Sequence, residues 1–344
     1  MYGKKIKYYR MKNGMTVEQL AAKLSCTKAA VSQYENDKRD PDDETVNKIA
    51  EVFGITWVQL TSVGSNYLKF NHFGFRKKMS VTKNEIEVLK DDIESRCKDR
   101  IDIMSILGIL PEKPFQPKKL SLEISVEENA KLIRKSLGIT ACGPVYAITN
   151  TFETIGIIVL TFDCPDEIEG LNGTVNGIPY IFFNSNKTIE RQRFTLMHEF
   201  CHLFFNHINA EGKEFEKYIS NLAGNVLISN DDLYRKFGKV NRNITTYLRD
   251  YVAKEYKIAP SCLITRLHEA GVITDRYYTT FFKLLNSSLG KTHEKSLLSK
   301  TDNELPTAFT QQVYLALSKQ LITASKASEV LNVPLYNVMN NMRA

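Results

Sequence analysis

Apolar residues recur at helical spacing through the first sixty positions. Lys5–Lys12 reads as a short helix that Gly14 breaks. Val17, Leu20, Ala21 and Leu24 then fall on one face of a second segment. Thr16 stands at its start with Gln19 three residues on, which is a capping box. Ser25-Cys26 form a turn, and Thr27 caps the next segment, Lys28–Tyr34, with Val31 and Tyr34 facing inward. Pro41 ends the following loop, and Glu44–Phe53 repeats the pattern with Val46, Ile49, Ala50 and Phe53. Two short helices joined by a turn of three or four residues predict a helix-turn-helix.

Past residue 60 the pattern changes. Residues 63–82 hold Gly64, Ser65, Gly74 and the run Arg76-Lys77-Lys78, and read as an exposed basic linker. Lys83–Met104 predicts a long helix with Ile86, Leu89, Ile93 and Ile101 on its apolar face. Pro111, Pro114 and Pro117 then interrupt the chain. Val126–Leu137 is a helix from the Ser125 cap to Gly138. Ile155–Phe162 is apolar and β-branched, a buried strand; Gly170–Gly177 is a turn region, and Ile178–Asn184 a second strand. Glu190–Asn206, Asn243–Tyr256 and Ser261–Ala270 are helices. Residues 287–306 are polar and loop-like, and Thr310–Asn341 is helical. Within it, Ala324–Leu331, Asn332-Val333-Pro334 and Leu335–Met342 faintly resemble another helix-turn-helix, with a charge that points to packing or partner contact. The expected class is α+β and mainly helical.

Composition narrows the function. The 344 residues are 43% hydrophobic and 25% charged, which excludes a mostly disordered or coiled-coil chain. No apolar run reaches the roughly 18 residues that span a bilayer, so no membrane role is expected. No apolar stretch follows Met-Tyr-Gly-Lys-Lys, and the six cysteines form no Cys-x-x-Cys pair. The expectation is a cytoplasmic chain with reduced thiols. The net charge of +7 is uneven. Residues 1–39 carry nine Lys/Arg against three Asp/Glu, and residues 61–80 carry four basic residues and no acid. The first 80 residues hold +6 of the +7, which points to a polyanion partner. Double-stranded DNA fits. Thr27, Lys28, Ala29, Ser32 and Gln33 would face base edges, with Gln19 on the preceding helix, while Lys38 and Arg39 would meet phosphates. Thr16–Leu24, Thr27–Glu35 and Lys38-Arg39-Asp40-Pro41 resemble the phage-repressor (Xre/Cro) helix-turn-helix family.

The second chemical signal is His198-Glu199-Phe200-Cys201-His202, an H-E-x-x-H on the Glu190–Asn206 helix. Residues i and i+4 share a helix face, so both imidazoles can bind one Zn²⁺. Glu199 beside them is placed as the general base that polarises the attacking water. Arg191 and Arg193 lie upstream, where they could orient substrate carbonyls or form surface ion pairs.

Gly177–Asn184, Glu190–Glu199 and His207 make the chain from roughly Phe75 onward look like the ImmA/IrrE-type metallopeptidases. Ser136–Leu160, with Gly143-Pro144, fits the same family. The resemblance implies a zincin-like peptidase with a small sheet, a Zn²⁺ cofactor, and cleavage of a repressor that derepresses genes. It also implies a third ligand, a Glu on the next helix, four residues before the apolar position that opens a recurrent ending. Leu222–Ser229 matches that ending, with Ser229 in place of a closing Pro. Counting back four gives Tyr218, and Ser220 stands where the family has Asn. Glu216 matches a second acid of the pattern but lies two residues from Tyr218, about 200° around a helix. Glu214 lies one turn before Tyr218 on its face. Three readings stand: Glu216 or Glu214 completes the site; Tyr218 lies at the metal; or the site binds zinc poorly.

The expected organisation is a helix-turn-helix domain at 1–62, a basic linker at 63–82, a metallopeptidase domain at 83–280 and a helical accessory domain at 281–344. The expected function is a DNA-binding transcriptional regulator with a zinc endopeptidase domain that cleaves a repressor or itself. Its partners would be double-stranded DNA and a protein substrate, with room for a homodimer. The alternative is a non-catalytic regulator or antitoxin-like repressor in which the peptidase fold serves sensing or dimerisation.

Overall fold

A computed structural model of the chain describes residues 3–55, 60, 68–77, 83–208, 210, 212–241, 243–289, 296–299 and 303–342. They form two compact units. The first is made from residues 1–69 and 78–98, the second from 70–77 and 99–344.

The first unit contains α1 (Gly3–Lys12), α2 (Val17–Lys23), α3 (Lys28–Glu35) and α4 (Asp43–Phe53). Each boundary after α1 has a local cause. Thr16 and Gln19 exchange both hydrogen bonds of a capping box, Thr27 accepts from the Ala30 amide, and Asp42 accepts from the Thr45 amide. Gly54 ends α4 at φ 66, a left-handed conformation that costs glycine least. Leu20, Val31 and Ile49 are fully buried in one cluster. Each such side chain is worth about 1.5–3 kcal/mol, whereas the Lys48–Glu44 pair is exposed and screened by solvent, so packing holds this domain together. One polar tie is internal: Arg10 and Glu35 form a buried bidentate pair. The start of α5 (Lys83–Leu107) belongs to this unit. The Tyr8 hydroxyl donates to Asp92 there, and Lys7 pairs with Glu87 at 3.3 Å.

The second unit is built on a four-stranded sheet. In chain order it runs β1 (Phe70–Lys77), α6 (Val126–Ser136), α7 (Ile148–Thr154), β2 (Ile158–Phe162), β3 (Ile168–Val175), β4 (Ile178–Asn184) and α8 (Ile189–Leu203). Then follow α9 (Lys213–Leu227), α10 (Asn230–Phe237), α11 (Thr246–Tyr256), α12 (Pro260–Glu269) and α13 (Asp275–Leu289). The spatial order is β1-β3-β4-β2. β2 and β4 are parallel, while β3 runs antiparallel to both β4 and β1. All seven residues of β4 are buried, as expected of a central strand.

Three expectations are corrected here. The stretch expected as an exposed linker contributes β1, an edge strand, and residues 63–67 and 78–82 of it lie outside the described residues. The stretch expected as a turn is strand β3. The turn is only Asn176-Gly177, at φ 49 and 79, the left-handed pair that a two-residue hairpin requires. The strand expected from Ile155 begins at Ile158, after helix α7, because Gly156 at φ 88 separates them.

Helix α8 is buried almost all round. It lies against β3 and β4 on one side and α9 and α7 on the others. Leu196, Phe200 and Cys201 join α9's Leu222 and Val226 in one core.

A smaller cluster unites Ile103 of α5 with α14 (Ala308–Ser318), α15 (Ala324–Leu331) and α16 (Leu335–Asn341). Asn332 at φ 53 and Pro334 turn α15 into α16, so the faint second helix-turn-helix spacing folds as two short helices around a three-residue turn. Residues 290–295 and 300–302 of the expected polar loop lie outside the described residues. Among the described residues, no helix is long and apolar enough to cross a membrane.

Candidate metal centre and helix-turn-helix surface

One turn of α8 separates His198 and His202, and their Nε2 atoms converge to 3.1 Å. The partner acid comes from the first turn of α9. Gly212, at φ 107, turns the chain into that helix and sets Glu216 near its N-terminus, where the helix dipole favours a carboxylate. Glu216 Oε2 lies 3.3 Å from His198 Nε2, and Oε1 lies 3.5 Å from His202 Nε2. Hydrogen bonds with His198 and His202 hold the Glu216 carboxyl well below the usual carboxylate range. His198 is fully buried, and its other nitrogen, Nδ1, lies 3.4 Å from the hydroxyl of Ser220 on α9. A partner at the far ring nitrogen is what fixes a ligating imidazole.

These residues fit a metal ion. Tetrahedral ligands at roughly 2.0–2.1 Å from zinc stand about 3.3–3.4 Å from one another. The two imidazole nitrogens, 3.1 Å apart, lie close to that edge, and the two Glu216 oxygens reach them at 3.3 and 3.5 Å. His198, His202 and Glu216 also form the group of metal-ligating side chains found among the described residues. Two His and one carboxylate suit zinc and leave a fourth position for water or substrate.

Of the three candidates for the third ligand, the structure brings Glu216 to the histidines. Glu214, one turn before Tyr218, is exposed and stands outside the group. Tyr218 points elsewhere: its hydroxyl accepts from the Asn129 amide at 2.8 Å, and its ring meets Phe205 edge-on. The 200° between positions 216 and 218 is the reason, since one side of α9 faces the histidines and the other faces α6. His207, beyond the end of α8, is exposed.

Glu199 is 2% exposed on the sheet-facing side of α8. Its Oε2 accepts from Asn172 Nδ2, on β3, at 2.7 Å. The Asn172 Oδ1 and the Thr195 Oγ1, one turn before Glu199, are buried without a hydrogen-bond partner among the described residues, so this carboxylate sits in polar surroundings. The close approach of β3 requires a glycine. A Cβ on Gly170 would meet the Thr195 methyl, and would lie 2.9 Å from the Phe182 carbonyl oxygen and 3.2 Å from Glu199 Cγ. Asn172 and Gly170 lie in the stretch whose sequence reads as a turn. The available signal was an Asn among alternating apolar residues just before an Asn-Gly hairpin.

The two arginines expected near substrate are occupied. Arg191 pairs with Glu169 at 2.5 Å. Arg193 is fully buried; it pairs with Glu304 and donates to the carbonyls of Lys257 and Val145. Four cysteines, Cys142, Cys164, Cys201 and Cys262, lie in this unit. Burial pushes the Cys164 thiol up to about 12 and the Cys201 thiol higher still, so both are inert at neutral pH.

In the first unit, Gln19, Thr27, Lys28, Ala29, Ser32, Gln33, Lys38 and Arg39 are all exposed. Some carry structural duties too. Gln19 Oε1 accepts from the Thr16 amide at 2.7 Å, Thr27 caps α3, and Lys28 pairs with Glu18. Arg39 lies 5.9 Å over the Tyr34 ring. Ala29, Ser32 and Gln33 are left as the outward face of α3.

Comparison with known proteins finds a family match over each of these two regions. Residues 6–60 match the helix-turn-helix family, and residues 152–268 match the IrrE N-terminal-like domain. The HTH-type transcriptional regulator ImmR of Bacillus subtilis (strain 168) is 28% identical over 135 residues, which cover 39% of this chain and 87% of ImmR. Among solved structures, Bacillus thuringiensis PlcR in complex with the peptide PapR7 and DNA aligns over 99% of this chain and 97% of that one. Its identity is 13% and its TM-score 0.19, a likeness that carries no argument. The chain thus joins an Xre-type helix-turn-helix domain to an IrrE/ImmA-like peptidase-family domain in one polypeptide.

Proposed function

We propose that this chain is a DNA-binding transcriptional regulator whose second unit is a zinc endopeptidase, acting on a repressor or on the chain itself. The observation that carries the reading is the convergence of His198, His202 and Glu216 beside a buried Glu199. It occurs in an IrrE-like domain fused to a helix-turn-helix domain.

His198, His202 and Glu216 would hold the ion, and zinc so held supplies Lewis-acid polarisation of a water and of the peptide carbonyl. Glu199 accepts the proton of the attacking water and returns it to the leaving amine nitrogen. Asn172 fixes the carboxylate through Oε2, so the proton is handled at a defined position rather than by a rotating group. Ser220 steadies His198 from behind. At the other end of the chain, Ala29, Ser32 and Gln33 would read base edges, while Lys28, Lys38 and Arg39 meet phosphates.

Elemental spectrometry of the purified protein tests the reading. The expected result is one zinc per chain. Glu199→Gln should keep that zinc and the affinity for operator DNA while abolishing proteolysis. Absence of zinc, or cleavage that survives Glu199→Gln, would overturn it in favour of a non-catalytic regulator.

A further inference from the structure

β3 is the strand closest to Glu199, through the Asn172 hydrogen bond and the close approach of Gly170. One of its edges pairs with β4, and the other is taken by β1. A protein substrate must present its scissile bond in an extended stretch, and an extended backbone is best held by the open edge of a neighbouring strand. The edge of β3 is that neighbour, and the chain already lays a strand of its own along it.

The pairing of β1 is uneven. It runs antiparallel from Phe70 opposite Val175 to Lys77 opposite Ile168, with Phe73 opposite Asn172 and Arg76 opposite Gly170. Register shifts fall between Phe73 and Phe75 and between Arg76 and Lys77, so they bracket the stretch alongside Glu199. Shifts of this kind interrupt the ladder and leave backbone groups unpaired. The other end is anchored. His72 Nδ1 is hydrogen-bonded to the Tyr180 hydroxyl, and Gly173 leaves room for the Asn71 carbonyl, which a Cβ would approach to 2.5 Å. β1 is thus pinned by side-chain and close backbone contact at Asn71–His72 and irregular in register where it passes the candidate base.

We propose that residues 70–77 are the chain's own occupant of the β3 edge, and that they hold it against an incoming peptide. The ligand class is an extended peptide running antiparallel to β3, and β1 must leave before another strand can pair. The proposal rests on the peptidase reading for what the edge serves, but not for the binding itself.

The test uses the full chain carrying Glu199→Gln, so that nothing is cut. Residues 70–77 are replaced by a Gly/Ser stretch of equal length. The probe is a fluorescent peptide of residues 69–78, KFNHFGFRKK, followed by anisotropy. The expected result is that the replaced chain binds the peptide at least ten times more tightly than the chain with β1 in place. A peptide carrying Asn71→Pro and Phe73→Pro, which cannot complete the ladder, should not bind. Should the replaced chain fail to fold, His72→Ala in the otherwise intact chain loosens the anchored end. It should speed amide exchange in β1 and raise peptide affinity at least threefold. Equal binding to the folded replaced and intact chains, or exchange in His72→Ala as slow as in the parent with no gain in binding, would show β1 to be a permanent strand and overturn the proposal. Peptide binding by a chain that holds no zinc would support the role of the edge and sink the peptidase reading. Zinc without peptide binding would do the reverse.

Discussion

The amide of Asn172 on β3 donates to Oε2 of Glu199 on α8 at 2.7 Å, and both residues are nearly inaccessible to solvent. A strand residue therefore fixes the carboxylate that the helix carries. Asn172→Ala should lower kcat for peptide cleavage by about 10- to 100-fold, the usual scale for a lost orienting partner, with KM and zinc content little changed. Loss of zinc in parallel with activity would show a structural role instead.

Gly170 tests the same junction sterically. Gly170→Ala must push α8 from β3 or displace Glu199, and overpacking of this kind costs about 1–3 kcal/mol. The expected outcome is a lower midpoint in urea together with activity reduced more than in Asn172→Ala.

The third metal ligand is open to direct measurement. Glu216→Ala should reduce zinc affinity by more than the 10- to 100-fold typical of outer partners, whereas Tyr218→Phe should leave it unchanged. Competition with a chromogenic chelator reads both. Tyr218→Phe losing zinc while Glu216→Ala keeps it would reverse the assignment.

Arg193 and Glu304 form a buried pair that ties residue 304 to helix α8, and Thr149 completes it by donating its amide to Glu304 at 3.1 Å. Glu304→Ala would strand a guanidinium in the core. The expected loss is about 3–5 kcal/mol by chemical denaturation, with Arg193→Met/Glu304→Leu recovering most of it. Equal losses in the single and double variants would show that the pair itself is stabilising.

Asp92, in the first unit, gives a pH signature. Burial raises its carboxyl to about 6, and Arg96 opposes that rise. A raised carboxyl means that the folded state holds the proton more tightly than the unfolded chain. Stability from this group is therefore full below about pH 4 and is lost as pH rises through 6. Asp92→Asn should be more stable than the parent by roughly 1–3 kcal/mol at pH 7.5 and no different at pH 4, in thermal melts across that range.

Much of this was legible in the sequence because the signals are local. The caps at Thr16 and Thr27 and the i, i+4 histidines depend only on neighbours along the chain, and they stand where spacing puts them. What was missed depends on partners distant in sequence. β1 is a strand because β3 offers it an edge about a hundred residues later, and nothing in Phe70–Lys77 alternates strongly enough to announce it. Arg193 looks like a surface cation until Glu304 arrives from the far end of the chain. The choice of Glu216 over Tyr218 turned on which side of α9 faces α8, which counting alone left open.

His198, His202 and Glu216 all lie within residues 198–216, on two helices joined by a short connection. An ion bound there closes only a small loop, so little chain entropy opposes it. Because it would bind the folded hairpin of α8 and α9 and not the open chain, it would fasten them as well as serve chemistry. At a thousandfold excess over its dissociation constant, such a ligand adds about 4 kcal/mol to the native state. A chelator should therefore soften the fold as well as silence it, and the supply of metal would govern how long the second unit survives.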